Sequence, residues 1–375
     1  MHKPGLDLLR AIAIIWVMLF HSFVVGGLGP DYAWLSRYGW MGVDLFFVLS
    51  GFLIGSQVLA LLAAGRGFGF RDFYLRRAFR ILPAFWVVLA FYMAFPTLRE
   101  APGLEPWWKF ISFSLNFNID YSQNKAFSHA WSLCVEEHFY LLFPLLAVGL
   151  TRKRSTALCV GVGVGVLLLG LALRSGIWLH DTALEQSGAI TRNWFVEDIY
   201  YPTWNRLDGL LAGVVLATVK VFRPQAWQWA QARANVSLLL GLAVMALSFW
   251  LFRERVGLLG NSIGWPVMST GLALLVLAGA GDRSWISRRQ VPGAAWIAAI
   301  SYSLYLTHKA TFHVVQSLFG AALAGRGEIA FAVYAAATVL VGALLYYTVE
   351  RPFLRVRERV PRFSGRLPVH PTAAA

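Results

Sequence analysis

Charge is scarce in this chain, and cysteine is almost missing. Only 14% of its 375 residues are Asp, Glu, Lys or Arg, whereas 58% are hydrophobic and 15% aromatic, and the mean hydropathy is +0.58. That poverty of charge excludes a solvent-borne chain and points to an integral membrane protein. The two cysteines, Cys134 and Cys159, each fall inside an apolar run and follow no ligand spacing. Neither a disulfide framework nor a zinc site is indicated. The first apolar run begins behind Lys3 and lacks a small-residue cleavage site, so it reads as a retained span. No internal repeat is clear, and no appended soluble module is visible at either end. A single membrane domain over 1–353 is expected, followed by a short basic cytoplasmic tail, 354–375, that reads as disordered. A net charge of +14 would suit nucleic acid, but Lys and Arg fall in short clusters between apolar runs, where they orient helices; no nucleic-acid partner is expected.

What is present is a series of apolar runs at 6–27, 39–63, 81–98, 129–150, 157–176, 204–221, 236–252, 262–281, 294–316 and 329–349. The expected fold is all-α: a polytopic membrane helix bundle of about ten transmembrane helices. Threading the runs alternately places Arg66, Arg71, Arg76, Arg77 and Arg80, the Arg-Lys-Arg of 152–154, Lys220, Arg223 and Arg233, and Arg283, Arg288 and Arg289 on one side. The positive-inside rule makes that side cytoplasmic, with both termini inside a cell (cytoplasmic) membrane. The opposite connections carry Glu100, Glu105, Asp120, Asp181, Glu185, Glu197 and Asp198 among aromatics.

Buried titratable groups rarely persist in lipid without a task. His21 lies in the outer half of the first run, eleven positions after Arg10. Eleven residues are about three helical turns, so the two share a face roughly 16 Å apart. Counting depth from the outer ends brings Asp44, Glu136, Glu137, Asp208 and His308 close to the level of His21, where water or a polar substrate must compensate them. Near the inner side, Arg10, Arg76, Arg77 and Arg80 supply guanidinium groups suited to phosphate. A polyanion bound there with a narrow extended arm reaching His21 has the shape of coenzyme A.

Leu6-Asp7 through Arg10 and then His21 resembles the opening of acyltransferase family 3, a family of membrane-bound O-acyltransferases that modify envelope glycans and other acceptors. Six further segments are similar to family blocks: Gly42 to Ile54, Arg76 to Pro83, Trp131 to Tyr140, Arg206 to Gly213, Ser301 to His308, and Glu350 to Phe353. The resemblance spans nearly the whole chain. It implies transfer of an acyl group, usually acetyl, from cytoplasmic acyl-CoA to a hydroxyl of a cell-envelope carbohydrate or a lipid-linked glycan. Some relatives modify small molecules. Direct transfer and handover to a separate extracytoplasmic transferase partner both fit.

On this reading His21 is the general base that takes the acceptor's proton, or alternatively a residue that carries the acyl group itself. The resemblance places Glu136 at the family's acid, and the depth count makes it the carboxylate that orients His21. Glu137 points about 100° away on the same helix and is expected to support the site, as is Asp44, which either orients His21 or makes a helix-to-helix hydrogen bond. Arg10, Arg76, Arg77 and Arg80 are assigned to the donor's phosphates, and Trp131, Ser132, Asp208 and His308 to the acceptor, with an interfacial ion pair as the alternative for Asp208. Trp107, Trp108, Trp194 and Trp204 read as membrane-interface aromatics. Glu136, His138 and His308 are metal-ligand types without a ligand spacing, so no metal is expected. Two rivals from other classes use the same buried acids and imidazoles: a proton-coupled transporter, favoured by paired broken helices, and a flippase or binder of a lipid-linked glycan.

Overall fold

A computed structural model describes residues 3–25, 36–65, 67–153 and 155–360. Arg66, Arg154, the end of the first predicted span and most of the predicted tail, from 361 onward, lie outside the described residues. Twelve of the helices are labelled here: α1 (Pro4–Val25), α2 (Met41–Ala63), α3 (Phe70–Ala94), α4 (Trp131–Lys153), α5 (Thr156–Gln186), α6 (Leu207–Phe222), α7 (Pro224–Ala232), α8 (Ala234–Leu251), α9 (Trp265–Ala280), α10 (Ala294–Leu323), α11 (Gly327–Leu345) and α12 (Arg351–Arg359). An isolated bridge joins Leu104 to Ala126, and no strand is formed among the described residues. The molecule is a polytopic helical bundle.

Eight helical segments among the described residues are long and apolar enough to cross a membrane. The two other predicted spans are also helical. One is α6, with 16 residues, and the other is α10, whose middle carries Ser301, Ser303, Thr307, His308 and Lys309. Helix boundaries depart from the hydropathy boundaries wherever charge begins. The run predicted at 81–98 belongs to a helix starting at Phe70, so Arg76, Arg77 and Arg80 are helical residues and not loop residues. The run predicted at 157–176 continues to Gln186. Backbone hydrogen bonding does not stop where a side chain becomes polar; only the lipid preference does.

The centre of the bundle is α2, which is apolar nearly all round and buried along most of its length. It meets α6 at backbone distance. A Cβ added to Gly51 would lie 2.1 Å from the Leu210 carbonyl oxygen, and one on Gly213 would lie 2.2 Å from the Val48 carbonyl oxygen. Gly51 and Gly55 on one helix and Gly209 and Gly213 on the other form facing small-residue stripes, which permit such an approach in lipid. By contrast α5 lies at the periphery. Its buried positions are Gly170, Arg174 and Asp181, which share one face, while Val160, Val164, Leu168 and Leu169 are exposed. The Gly-rich stretch 161–170, where a transporter would break a helix, runs unbroken within α5.

Between α3 and α4 a folded loop is pinned to the bundle. Phe127 adopts a left-handed backbone (φ 53°), stacks on Tyr92 and Phe110, and donates its N–H to Glu100. Past α11 a π-helical turn, Tyr346–Glu350, leads into α12, which starts with Pro352 near its first turn. The tail expected to be disordered from 354 is therefore helical as far as Arg359. Arg76 of α3 holds its end by donating to the carbonyls of Arg357 and Val360 at 3.0 and 2.7 Å.

Candidate active site

The side chains at positions 10, 13, 14, 17 and 21 of α1 recur at helical spacing and form one stripe. Ala13, Ile14 and Val17 in its middle are fully buried. That packing fixes the rotation of α1 and sends Arg10 and His21 to the same face, as the sequence spacing implied. The two ends of the stripe enter different surroundings.

At the His21 end three imidazoles converge. His308 of α10, fully buried, places Nε2 2.8 Å from His21 Nδ1, and its own Nδ1 lies 2.7 Å from the Tyr305 carbonyl oxygen. His129, in the 3₁₀ turn just before α4, packs its ring 4.9 Å from that of His308 and 6.3 Å from that of His21. Its Nε2 lies 3.4 Å from the Leu306 carbonyl oxygen, and its buried Nδ1 has no hydrogen-bond partner among the described residues. Tyr305 ties this turn to α10: its hydroxyl donates to the His129 carbonyl at 2.7 Å and lies 2.6 Å from Ser132 Oγ. Next to His308, Lys309 pairs with Glu100 at 3.1 Å, and Glu100 also accepts from Tyr92 at 2.8 Å. Burial alone would raise the Glu100 carboxyl, but the Lys309 ammonium and the Tyr92 hydroxyl outweigh it and hold the group below the ordinary glutamate range.

Glu136 is not at this end. Its carboxylate accepts from Ser50 of α2 at 2.8 Å and from Tyr140, one turn along α4, at 3.2 Å. The guanidinium of Arg77 lies 5.1 Å from the Tyr140 ring. The structure brings His308, and not Glu136, into hydrogen-bond contact with His21, and Glu136 sits among groups of the arginine cluster. Among the described residues Arg10, Arg77 and Arg80 make no hydrogen bond or ion pair with a protein acceptor, whereas Arg76 is engaged by α12. The ionisable side chains within electrostatic reach of Arg10 include Arg80, Asp7 and Glu136. Those within reach of Arg77 include Arg80, Glu137 and Glu136. Glu137 thus belongs to the arginine surroundings as well.

Two other assignments change. Asp44 forms a buried ion pair with Arg206 at 2.8 Å, and Asp208 forms one with Arg174 at 2.8 Å. Neither carboxylate reaches His21, and Asp208 is committed to a protein partner in place of a sugar. Arg206 is enclosed by rings, with its guanidinium carbon 4.0 Å from the centroid of Trp265, 4.4 Å from Tyr200 and 4.9 Å from Trp131. Trp131, expected to face the acceptor, is a buried wall of that cage, and Ser132 is bonded to Tyr305. Of the interface tryptophans, Trp107, Trp108 and Trp204 are exposed, whereas Trp194 is buried and donates to Glu185. His138 lies 2.7 Å from Thr203 Oγ1 and stacks on Phe117. Among the described residues no group of three or more His, Cys, Asp or Glu is arranged to hold a metal ion.

Sequence reading missed His129, Tyr305, Lys309, Glu100 and Arg174. His129 stands only two positions before the Trp131 block, and Tyr305 lies inside a quoted block, so adjacency was a usable signal for both. Nothing in the sequence pairs Arg174 with Asp208 or Lys309 with Glu100.

The fold and site define a multi-pass helical membrane protein in which one transmembrane face joins an arginine cluster to a hydrogen-bonded pair of imidazoles, the half-buried His21 and the buried His308. The chain belongs to acyltransferase family 3: the family model, described as an acyltransferase domain, matches residues 3–348. It is 29% identical over 381 residues to "O-acetyltransferase OatA" of Staphylococcus aureus strain NCTC 8325 / PS 47, covering 94% of this chain and 57% of the relative. A "putative O-acetyltransferase" of S. aureus strain MSSA476 is 27% identical over 379 residues with the same coverage. The chain thus spans little more than half the length of the curated relatives it matches. No solved structure matches it.

Proposed function

We propose that this chain is a cytoplasmic-membrane O-acyltransferase that moves an acyl group, acetyl in the first instance, from cytoplasmic acyl-CoA to a hydroxyl of a cell-envelope carbohydrate or lipid-linked glycan. The observation that carries the proposal is the Arg10 to His21 stripe. Guanidinium groups with no hydrogen-bond or ion-pair acceptor among the described residues stand at one end and an imidazole stands at the other, roughly 16 Å away by helical rise. That separation matches an extended pantetheine arm. Membership of the family and likeness to proteins named O-acetyltransferases support it.

In the proposed reaction Arg10, Arg77 and Arg80 hold the donor's phosphates as charge-assisted hydrogen-bond donors. Arg76 is assigned instead to holding α12. His21 accepts the acceptor hydroxyl's proton as the oxygen attacks the thioester carbonyl, so that no free alkoxide forms in a site of low dielectric. The tetrahedral intermediate collapses with cleavage of the carbon–sulfur bond. The departing thiolate takes the proton from His21, giving an ester and coenzyme A. Glu136, held by Ser50 and Tyr140, balances arginine charge along the donor path.

The test is free-thiol release from acetyl-CoA by purified protein in lipid nanodiscs, supplied with cell-envelope extract. His21→Ala is expected to lower kcat by about 10²–10⁴, whereas Glu136→Gln is expected to raise KM for acetyl-CoA more than it lowers kcat. Wild type that neither binds nor turns over acyl-CoA would overturn the proposal and favour proton-coupled transport.

A further inference from the structure

We infer that His308 is a positioning residue that holds His21 in the Nδ1–H tautomer, leaving His21 Nε2 as the bare nitrogen that accepts a proton. The inference rests on the general-base reading of His21 given above. It starts from a group that leaves no choice. A backbone carbonyl oxygen only accepts, so the 2.7 Å contact between the Tyr305 carbonyl and His308 Nδ1 requires a proton on that nitrogen. His308 is fully buried and no carboxylate touches it among the described residues, so nothing there compensates an imidazolium charge. His308 is therefore neutral, and its Nε2 carries a lone pair. Facing it at 2.8 Å is His21 Nδ1. Two lone pairs at that distance repel, so His21 Nδ1 carries the proton and donates it. The remaining nitrogen of His21, Nε2, is then unprotonated.

The chain of bonds runs from the Tyr305 carbonyl through His308 to His21, and each link sets the next. Tyr305 is held in turn, because its hydroxyl is bonded to the turn before α4. A solvated histidine side chain prefers its proton on Nε2, which would offer the acceptor hydroxyl an N–H in place of a lone pair. The pair reverses that preference. When His21 takes the acceptor's proton on Nε2, its Nδ1–H donates to His308 Nε2 as a charge-assisted bond, and when the thiolate removes that proton the pair returns to its starting state. His308 gains and loses no proton. A neutral imidazole anchored by a carbonyl thus does what a buried carboxylate does in a serine hydrolase triad: it fixes tautomer and orientation.

The test uses the full chain in nanodiscs with ¹⁵N-labelled histidine, and His21→Asn identifies the His21 signals. The wild type is expected to show the Nδ1–H pattern at His21. His308→Leu is expected to lose that pattern and lower kcat by about 10²-fold with KM for acetyl-CoA within about twofold. His308→Gln, whose amide oxygen can accept from His21 Nδ1, is expected to restore both the pattern and most of kcat. An Nε2–H signature at His21 in the wild type overturns the inference, as does a His308→Leu protein that keeps full kcat. The spectrum judges the tautomer without turnover, so a wild type with the Nδ1–H pattern but no thiol release counts against the acyltransferase reading alone.

Discussion

Asp44 and Asp208 show what a buried carboxylate does in this bundle when it is not near the imidazoles. Each faces a guanidinium that is almost fully enclosed, Arg206 and Arg174 respectively. Removing one partner leaves a charge with no solvent to turn to. Asp44→Asn is expected to destabilise the protein by about 3–5 kcal/mol, read as a fall in the unfolding midpoint in detergent, and Asp208→Asn should act similarly. Replacing both Asp44 and Arg206 with apolar residues of similar volume should recover much of that loss, because the pair's desolvation cost disappears together with its attraction. A wild-type midpoint in Asp44→Asn would sink this account. The sequence made both aspartates visible as intramembrane acids but did not name the arginine each one faces. Depth along a helix is legible at 1.5 Å per residue, whereas the partner depends on which way each side chain faces, and one residue turns that direction by about 100°. Glu136 shows a second limit: counted from the predicted ends it comes out level with His21, but its bonds to Ser50 and Tyr140 place it toward the arginine end, because depth counted on one helix ignores how that helix is set against its neighbours.

Elements in this molecule are held at distances that their glycines set. Between α2 and α6 the atoms that meet an added Cβ at Gly51 and Gly213 are backbone atoms, which cannot rotate away. Gly213→Ala and Gly51→Ala should each force the helices apart and lower the thermal midpoint sharply. Within α5 the outcome should be the opposite. No atom lies within 4 Å of a Cβ built on Gly161 or Gly165, so alanine there should be neutral or stabilising by up to about 1 kcal/mol through helix propensity. A thermal-shift series across these four glycines checks the contrast, and equal effects in both helices would refute it. In the sequence all four looked alike. Only the neighbour decides whether a missing side chain is a contact or merely an absence. The ends of elements followed a similar rule: apolar runs located the cores of α3 and α5, but helical turns that bear arginines or reach past the apolar run were invisible to hydropathy.

At the scale of the whole molecule, the loop between α3 and α4 is fastened to the histidine end by Glu100 and Lys309, a pair joining a connection to a spanning helix. Because the Glu100 carboxyl is held below its ordinary value, folding favours its ionised form. Its stabilisation is fully present above the unfolded glutamate value of about 4.3 and is lost as pH falls through the lower native value. The unfolding midpoint of wild type should therefore drop on acidification below about pH 4.3 more steeply than that of Glu100→Gln, which starts lower and lacks this contribution. Parallel pH profiles for the two proteins would contradict it.

The sequence by itself determined the solvent, the helical class, the approximate place of the eight helices long and apolar enough to cross a membrane, and the common face of Arg10 and His21. These follow from composition and from the fixed period of a single helix, which needs no partner. The seven family-like blocks likewise came from local order along the chain. The tertiary structure alone decided that His21 pairs with His308, that Glu136 belongs with Ser50 and Tyr140, and that Asp44 and Asp208 bind arginines. Those pairings depend on the rotation and depth of one helix against another, and these are set by packing such as the glycine contact of α2 and α6 and the buried stripe of α1. No property of one segment carries that information.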